Sequence, residues 1–321
     1  RSLANLEFHS AGHDVDDVHY IGCTRGIETR LVPETDYPHT LFDVVGFQRS
    51  LDRRNLGFLP KMLRARRDAI ALLRRLAPKV VVSVGGYASM PAVFAARKLG
   101  IAVVVVSYDR RPGRARPEAA RRAAACAVAF DNSPLPRATL TGAPVRQEIL
   151  NIDRAATRDG ARKRLGVPVD RFLVAVMGGS LGSGVLNDAV AAYVAEHADD
   201  AGLAVRQVAG ERFVDRVATQ GAGDTGVLHQ VVGYEADMAS VYAAADLLVG
   251  RGGASTVHEV AVTGVPAILV PWSGAADDHQ RGNVEWLSEV GGAVLLEESA
   301  ASALGAAQEG LRAGPAALAA L

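Results

Sequence analysis

Cysteine, aromatic residues and net charge are all scarce in this chain of 321 residues. The two cysteines, Cys23 and Cys126, are too few for a disulfide scaffold, and no C-x-x-C spacing occurs. Both lie beside or within apolar runs, so the expectation is two buried free thiols in a reducing compartment. Lys plus Arg equals Asp plus Glu at 35 each, so no global field draws the protein to nucleic acid. No apolar run approaches the roughly 20 residues needed to cross a bilayer, and no signal-peptide pattern is visible. G-x-x-x-x-G-K-[ST], G-x-S-x-G and H-E-x-x-H are all missing, and the eight histidines do not cluster.

What is abundant is small and apolar: hydrophobic residues make up 49% of the chain against 5% aromatic, the balance of a packed α/β core. Short, nearly continuous apolar runs at 19–21, 79–84, 101–107, 126–130, 172–177, 205–208, 226–231, 247–249, 267–270 and 293–296 read as parallel strands buried on both faces. Helical stretches alternate with them at 60–76, 89–99, 117–124, 184–198, 238–244, 256–263 and 280–289. Pro60 and Pro117 suit first helical positions. The alternation specifies doubly wound parallel sheets. Gly142-Ala143-Pro144 punctuates the middle, giving two domains, 1–145 and 146–321. The chain opens on Arg1, not Met, inside what reads as a helix, so a further N-terminal stretch is expected; the Ala-rich stretch 300–321 reads as a helix without a cap.

Glycine turns carry the chemistry. Residues 174–177 form a strand that runs into Gly178-Gly179-Ser180-Leu181-Gly182-Ser183 and then a helix. Such a turn lets backbone N–H groups and the helix dipole approach a phosphate, with Ser180 as a hydroxyl donor, although a plain strand–helix turn has the same pattern. Gly250-Arg251-Gly252-Gly253-Ala254-Ser255-Thr256-Val257-His258-Glu259 repeats the arrangement. There Thr256 and Glu259 fit a capping box, or the stretch 252–256 presents N–H groups to a diphosphate while Glu259 accepts from ribose hydroxyls. Two such turns in one domain converge on the carboxyl edge of one sheet. Asp277-Asp278-His279-Gln280-Arg281-Gly282-Asn283 follows another strand. It reads as a metal cluster or, with Gln280 and Asn283 offering donors and acceptors, as a sugar-contacting loop. In the first half, Gly85-Gly86-Tyr87-Ala88-Ser89 is a further turn of this kind, with helix capping by Ser89 as the plainer alternative. From 47 to 79 there are ten Lys/Arg against two Asp. Within this stretch, 52–76 mixes Arg53, Arg54, Lys61, Arg64, Arg66, Arg67, Arg74 and Arg75 with Leu56, Phe58, Leu59, Met62, Leu63 and Leu72. That is the pattern of a helix on an anionic membrane, or of an ordinary helix with a solvated basic face.

These motifs, in this order, resemble the MurG family. The match runs from His19-Tyr20-Ile21-Gly22 to Gly291-Gly292-Ala293 and includes Gly142-Ala143-Pro144-Val145-Arg146 and Asp237-Met238-Ala239. The resemblance implies a GT-B architecture, two Rossmann-like domains facing across a cleft. It implies an inverting, metal-independent transfer, without cofactor, of N-acetylglucosamine from UDP-N-acetylglucosamine to the C4 hydroxyl of lipid I, at the cytoplasmic face of the cell membrane. Carried onto this chain, Arg146, Gly179 and Ser180 are donor diphosphate and sugar contacts, and the backbone near Glu235 is a uracil contact. Ala254, Ser255, Thr256 and Glu259 form the phosphate and ribose site, and Gln280 contacts sugar hydroxyls. Segment 52–76 lies where the family associates with membranes. Two departures stand out. The family's Gly-Gly-Thr-Gly-Gly-His loop is absent, and neither His9 nor His13 replaces its histidine. The family's His-Glu-Gln-Asn reads Val106-Ser107-Tyr108-Asp109 here, which leaves Asp109 as the carboxylate available as general base. Another GT-B enzyme, or a silent nucleotide-sugar-binding protein, are the competing expectations.

Overall fold

Twelve strands and eleven α-helices alternate along the computed structural model, which describes residues 14–25, 28–44, 58–112, 115–179, 182–220, 226–275 and 278–303. The chain divides into two compact units, Arg1–Pro144 and Val145–Leu321.

In the first unit, β1 (Tyr20–Cys23) pairs in parallel with β2 (His39–Phe42). A second parallel sheet has the order β3 (Val80–Ser83), β4 (Ala102–Ser107), β5 (Ala125–Val128), β6 (Ala138–Leu140). Helices α1 (Glu28–Leu31), α2 (Phe58–Leu76), α3 (Met90–Leu99) and α4 (Ala115–Ala120) connect them. The core joins Ala65, Ala69, Leu72 and Leu73 of α2 to Val93 and Ala96 of α3 and Val103 and Val105 of β4. The spacing 65, 69, 72 and 73 is one helical face.

The second unit holds a six-stranded parallel sheet: β7 (Phe172–Met177), β8 (Leu203–Val208), β9 (Leu228–Val232), β10 (Leu247–Arg251), β11 (Ala267–Val270) and β12 (Val294–Leu295). Its helices are α5 (Gln147–Leu150), α6 (Arg154–Leu165), α7 (Gly184–Glu196), α8 (Val214–Gln220), α9 (Met238–Ala244), α10 (Ala254–Thr263) and α11 (His279–Glu289). Leu173, Ala175 and Met177 face one apolar layer, and Val174 and Val176 face the other. This double burial explains why the strands read as unbroken apolar runs. Each fully buried Val or Leu contributes about 1.5–3 kcal/mol by leaving water. Arg162 of α6, 0% exposed, is matched by Asp246 at 2.6 Å and by the carbonyls of Ala244, Pro168, Val169 and Arg171 at 2.7–3.2 Å. Asp246 also accepts from the Leu173 N–H at 2.7 Å, so this ion pair ties α6 to the start of β7.

Several expectations change in detail. β2 and β6 have no long apolar run to announce them, and all three β6 residues are exposed. The short helices α1, α5 and α8 were likewise not signalled. Pro60 and Pro117 occupy third rather than first helical positions; both still fall in the turn whose N–H groups have no intrahelical acceptor. Cys126 is buried, but Cys23 is only half-buried, its thiol donating to Glu28 Oε1 at 2.6 Å and to the Arg25 carbonyl at 2.9 Å. Residues 1–13, including His9 and His13, and most of the C-terminal stretch lie outside the described residues, as do Arg53, Arg54 and Leu56.

Candidate functional site

The strand order of the second sheet, β12-β11-β10-β7-β8-β9, fixes where a ligand can sit. The chain moves outward from β7 through β8 and β9, then returns to the other side of β7 with β10. Ligands of open parallel sheets bind outside the carboxyl ends of the strands at such a reversal. Met177 and Gly250 are register partners there, so the two glycine turns leave the sheet side by side.

The turn after β7 requires glycine. A Cβ on Gly178 would lie 2.4 Å from the Ser183 nitrogen and 2.8 Å from the Gly182 carbonyl carbon. Gly179 is exposed in the left-handed region, at φ 80°. Ser180 lies outside the described residues. Ser183 caps α7, its Oγ accepting from the Leu186 N–H at 3.3 Å.

The turn after β10 is open. Gly253 is the N-cap of α10 and offers no side-chain acceptor. The N–H groups of Ala254, Ser255 and Thr256 therefore point out of the helix without intrahelical acceptors. Thr256 is the third residue of the helix and Glu259 the sixth, which removes the capping-box reading. A Cβ on Gly252 would come within 2.6 Å of the Gln280 carbonyl oxygen, so α11 packs directly beneath the turn. Asn283 supports it from there: it is 0% exposed, with Nδ2 donating to the Gly252 carbonyl at 3.3 Å. Its side chain is thus buried beneath the turn, whereas the sequence suggested a polar loop offering it to sugar hydroxyls. Gln280 Oε1 accepts from the Trp272 N–H at 2.9 Å. Asp277 lies outside the described residues, and among the described residues no three His, Cys, Asp or Glu side chains group as metal ligands.

Arg251, 8% exposed, joins these loops. Its Nη2 donates to Ser183 Oγ at 2.6 Å and to Glu298 Oε1 at 2.5 Å, and its Nη1 to the Val270 carbonyl at 3.2 Å. Glu298 Oε2 in turn accepts from the Ser273 N–H at 3.0 Å and from its hydroxyl. Burial pushes the Glu298 carboxyl up, but the Ser273 and Arg251 hydrogen bonds outweigh it and leave the group below its usual 4.5.

Glu259 is held from two sides. Oε1 accepts from Arg146 Nη2 at 3.2 Å and Nε at 3.4 Å, and Oε2 accepts from the Tyr242 hydroxyl at 2.8 Å. Glu235 is paired with Arg206 at 2.5 Å and accepts from the Asp237 N–H at 2.9 Å, which fixes the loop after β9. Tyr242 and Arg206 gave no signal in the sequence, because a tyrosine in an apolar helix reads as core and an arginine in a strand reads as surface.

In the first unit, Gly85 and Gly86 follow β3 at φ 95° and 76°. Tyr87 opens a 3-10 turn to Ser89. The Ser89 hydroxyl donates to the Gly86 carbonyl and receives a bond from Ser83, each at 3.0 Å, instead of capping a helix N–H. Asp109 stands half-buried two residues past β4, whose neighbour in the sheet is β3. Ser107 is buried, its hydroxyl without a hydrogen-bond partner among the described residues.

Comparison with known proteins agrees with this layout. Residues 4–128 match the glycosyltransferase family 28 N-terminal domain and residues 173–314 its C-terminal domain. The UDP-N-acetylglucosamine--N-acetylmuramyl-(pentapeptide) pyrophosphoryl-undecaprenol N-acetylglucosamine transferase of Desulforudis audaxviator is 35% identical over 92% of this chain and 81% of its own length. The protein of the same name from a Nocardioides species is 39% identical over 87% and 76%. The crystal structure of Acinetobacter baumannii MurG is 25% identical, with a TM-score of 0.71 over 98% of this chain and 88% of that one. At 16% identity and a TM-score of 0.56, Anabaena HepE, solved with UDP-glucose, shares the fold. The chain is therefore a glycosyltransferase of GT-B fold and belongs to the MurG family, within glycosyltransferase family 28.

Proposed function

We propose that the protein transfers N-acetylglucosamine from UDP-N-acetylglucosamine to the C4 hydroxyl of lipid I, with inversion, and that the crevice between the β7 and β10 edges is the donor site. The observation that carries this is the uncapped start of α10, with Glu259 one turn further on. Three N–H groups and the helix dipole oppose the diphosphate, and the carboxylate meets the ribose. As UDP departs it gains charge at the same N-terminus, which stabilises the transition state more than the ground state. The backbone around Glu235, held by Arg206, receives the uracil, and Gln280 meets the sugar hydroxyls. Gly179 and Ser180 take the phosphate from the β7 side. Arg146 contributes charge, but its guanidinium is engaged with Glu259, so it acts on the donor together with that carboxylate. Asn283 serves by supporting Gly252.

In the first unit, Gly85, Gly86 and Tyr87 line the acceptor side, and Asp109 is the general base for the acceptor hydroxyl. Asp109→Asn removes the base while keeping the shape, so kcat falls at least a hundredfold with donor affinity unchanged; retention of wild-type kcat assigns the base elsewhere.

The basic face of α2 touches an anionic membrane surface. Arg64, Arg66 and Arg67 are exposed beside Leu63, which is 55% exposed. Leu72, expected on that face, belongs to the core, so the attraction is mainly electrostatic and weakens with salt. No described helix is long and apolar enough to cross a membrane. The test of the reaction itself is transfer of label from UDP-N-acetylglucosamine into lipid I. A higher rate with UDP-glucose, or label in no lipid product, contradicts the reading.

A further inference from the structure

Among the hydrogen bonds around the proposed donor site, one comes from a residue with no other use for it. Tyr242 of α9 is 0% exposed and packs in the core with Met177, Val241 and Val257. A phenylalanine ring would fill the same space. A buried hydroxyl costs stability unless it is hydrogen-bonded. The Tyr242 hydroxyl has one strong acceptor, Glu259 Oε2 at 2.8 Å; its other neighbour is the Met177 sulfur at 4.0 Å, a weak acceptor.

A carboxylate offers about four acceptor positions. On Glu259, Arg146 occupies Oε1 through two N–H groups, and Tyr242 takes one position on Oε2. What remains open is an acceptor position on Oε2, in a side chain still 12% exposed. Arg146 supplies the compensating charge, and Tyr242 fixes which way the second oxygen faces. Burial, and then the neighbouring Glu259 carboxylate, raise the Tyr242 hydroxyl well above its usual range, so it stays a donor. A carboxylate held in one orientation next to a ligand favours a hydroxyl there. It penalises a methylene, because the half-desolvated oxygen then loses its partner.

We propose that Tyr242 is a positioning residue for the donor nucleotide: by orienting Glu259 it sets the preference for a ribose 2′,3′-diol over a 2′-deoxyribose. This rests on the donor site proposed above and adds to it the sugar selectivity of the nucleotide and the residue that enforces it.

Calorimetric titration of UDP and 2′-deoxy-UDP into wild type and Tyr242→Phe tests it. Wild type should prefer UDP by tenfold or more. In Tyr242→Phe, UDP binding should weaken about five- to tenfold with 2′-deoxy-UDP nearly unchanged, so the preference collapses. In turnover, KM for the donor should rise with kcat retained. A parallel loss for both nucleotides, or an unchanged preference, overturns the inference, since a merely structural tyrosine would produce those results. If wild type binds UDP-N-acetylglucosamine but accepts both nucleotides equally, the inference fails and the donor reading stands. If wild type binds no uridine nucleotide, the donor reading fails and takes the inference with it. Should Tyr242→Phe not fold, 4-aminophenylalanine at 242 keeps the shape with a weaker donor. An intermediate preference then supports the assignment, and a wild-type ratio refutes it.

Discussion

Replacing Arg251 with Met should unfasten the donor site and weaken the whole second unit. Arg251 and Glu298 have side chains 10% and 13% exposed. Removing one partner strands a carboxylate in a half-dry environment, and breaking such a buried pair costs about 3–5 kcal/mol. The residual exposure argues for the lower end, about 3 kcal/mol. Ser183 also loses its 2.6 Å donor and the Val270 carbonyl its 3.2 Å donor, so the ends of β7, β10 and β11 loosen together. With a urea slope of about 2 kcal/mol/M for a domain of this size, the midpoint should fall by roughly 1.5 M. Tryptophan fluorescence isolates the right transition, because both tryptophans, Trp272 and Trp286, lie in the second unit. Adding Glu298→Gln to Arg251→Met should recover part of the loss, since the stranded charge is then gone. A shift below about 1 kcal/mol, with donor affinity intact, would refute the role given to Arg251.

Four further outcomes follow from contacts within the second unit. Gly178→Ala puts a Cβ 2.4 Å from the Ser183 nitrogen and should abolish donor binding. Gly179→Ala meets nothing within 4 Å and should cost only the left-handed backbone strain of about 1–2 kcal/mol, measured by the same urea titration. Stability should decline as pH drops below about 6.5, because burial holds His229 below its usual 6.5 and the unfolded chain takes up the proton first. His229 Nε2 is within 2.9 Å of Gln207 Oε1, while Nδ1 is buried without a hydrogen-bond partner among the described residues. His229→Gln should flatten this slope between pH 7.5 and 5.5; an unchanged slope refutes the assignment. A second decline belongs to Glu298. Its contribution is intact above 4.5 and is lost as pH falls through its lowered folded value, so Arg251→Met should blunt that step.

The sequence made the parallel strands and the glycine turns legible because each has a local cause. Buried strands must be apolar along their whole length, and residues 172–177 and 267–270 are assigned as strands with unchanged bounds. Gly178 is forced by Gly182 and Ser183 just beyond it in the chain; Gly252 is forced by Gln280 and Val284 of α11, and only its place at a strand end is local. What stayed hidden depends on residues far apart in the chain. Glu259 meets Arg146 across 113 positions, and Arg251 meets Glu298 across 47. Thr256 and Glu259 carried a capping-box pattern, but the helix starts at Ala254, two residues earlier than its local signals suggested. Asn283 looked like a ligand group because it belongs to a polar cluster past a strand end; only the packing of α11 beneath Gly252 buries it.

Donor binding at the α10 N-terminus and Glu259 should need no divalent metal. Isothermal titration of UDP-N-acetylglucosamine in the presence of EDTA tests it most directly, on wild type and on Glu259→Ala. Wild type should show one site per chain, and the variant at least tenfold weaker binding. Absence of binding until a divalent ion is restored, or equal affinity in Glu259→Ala, would contradict it.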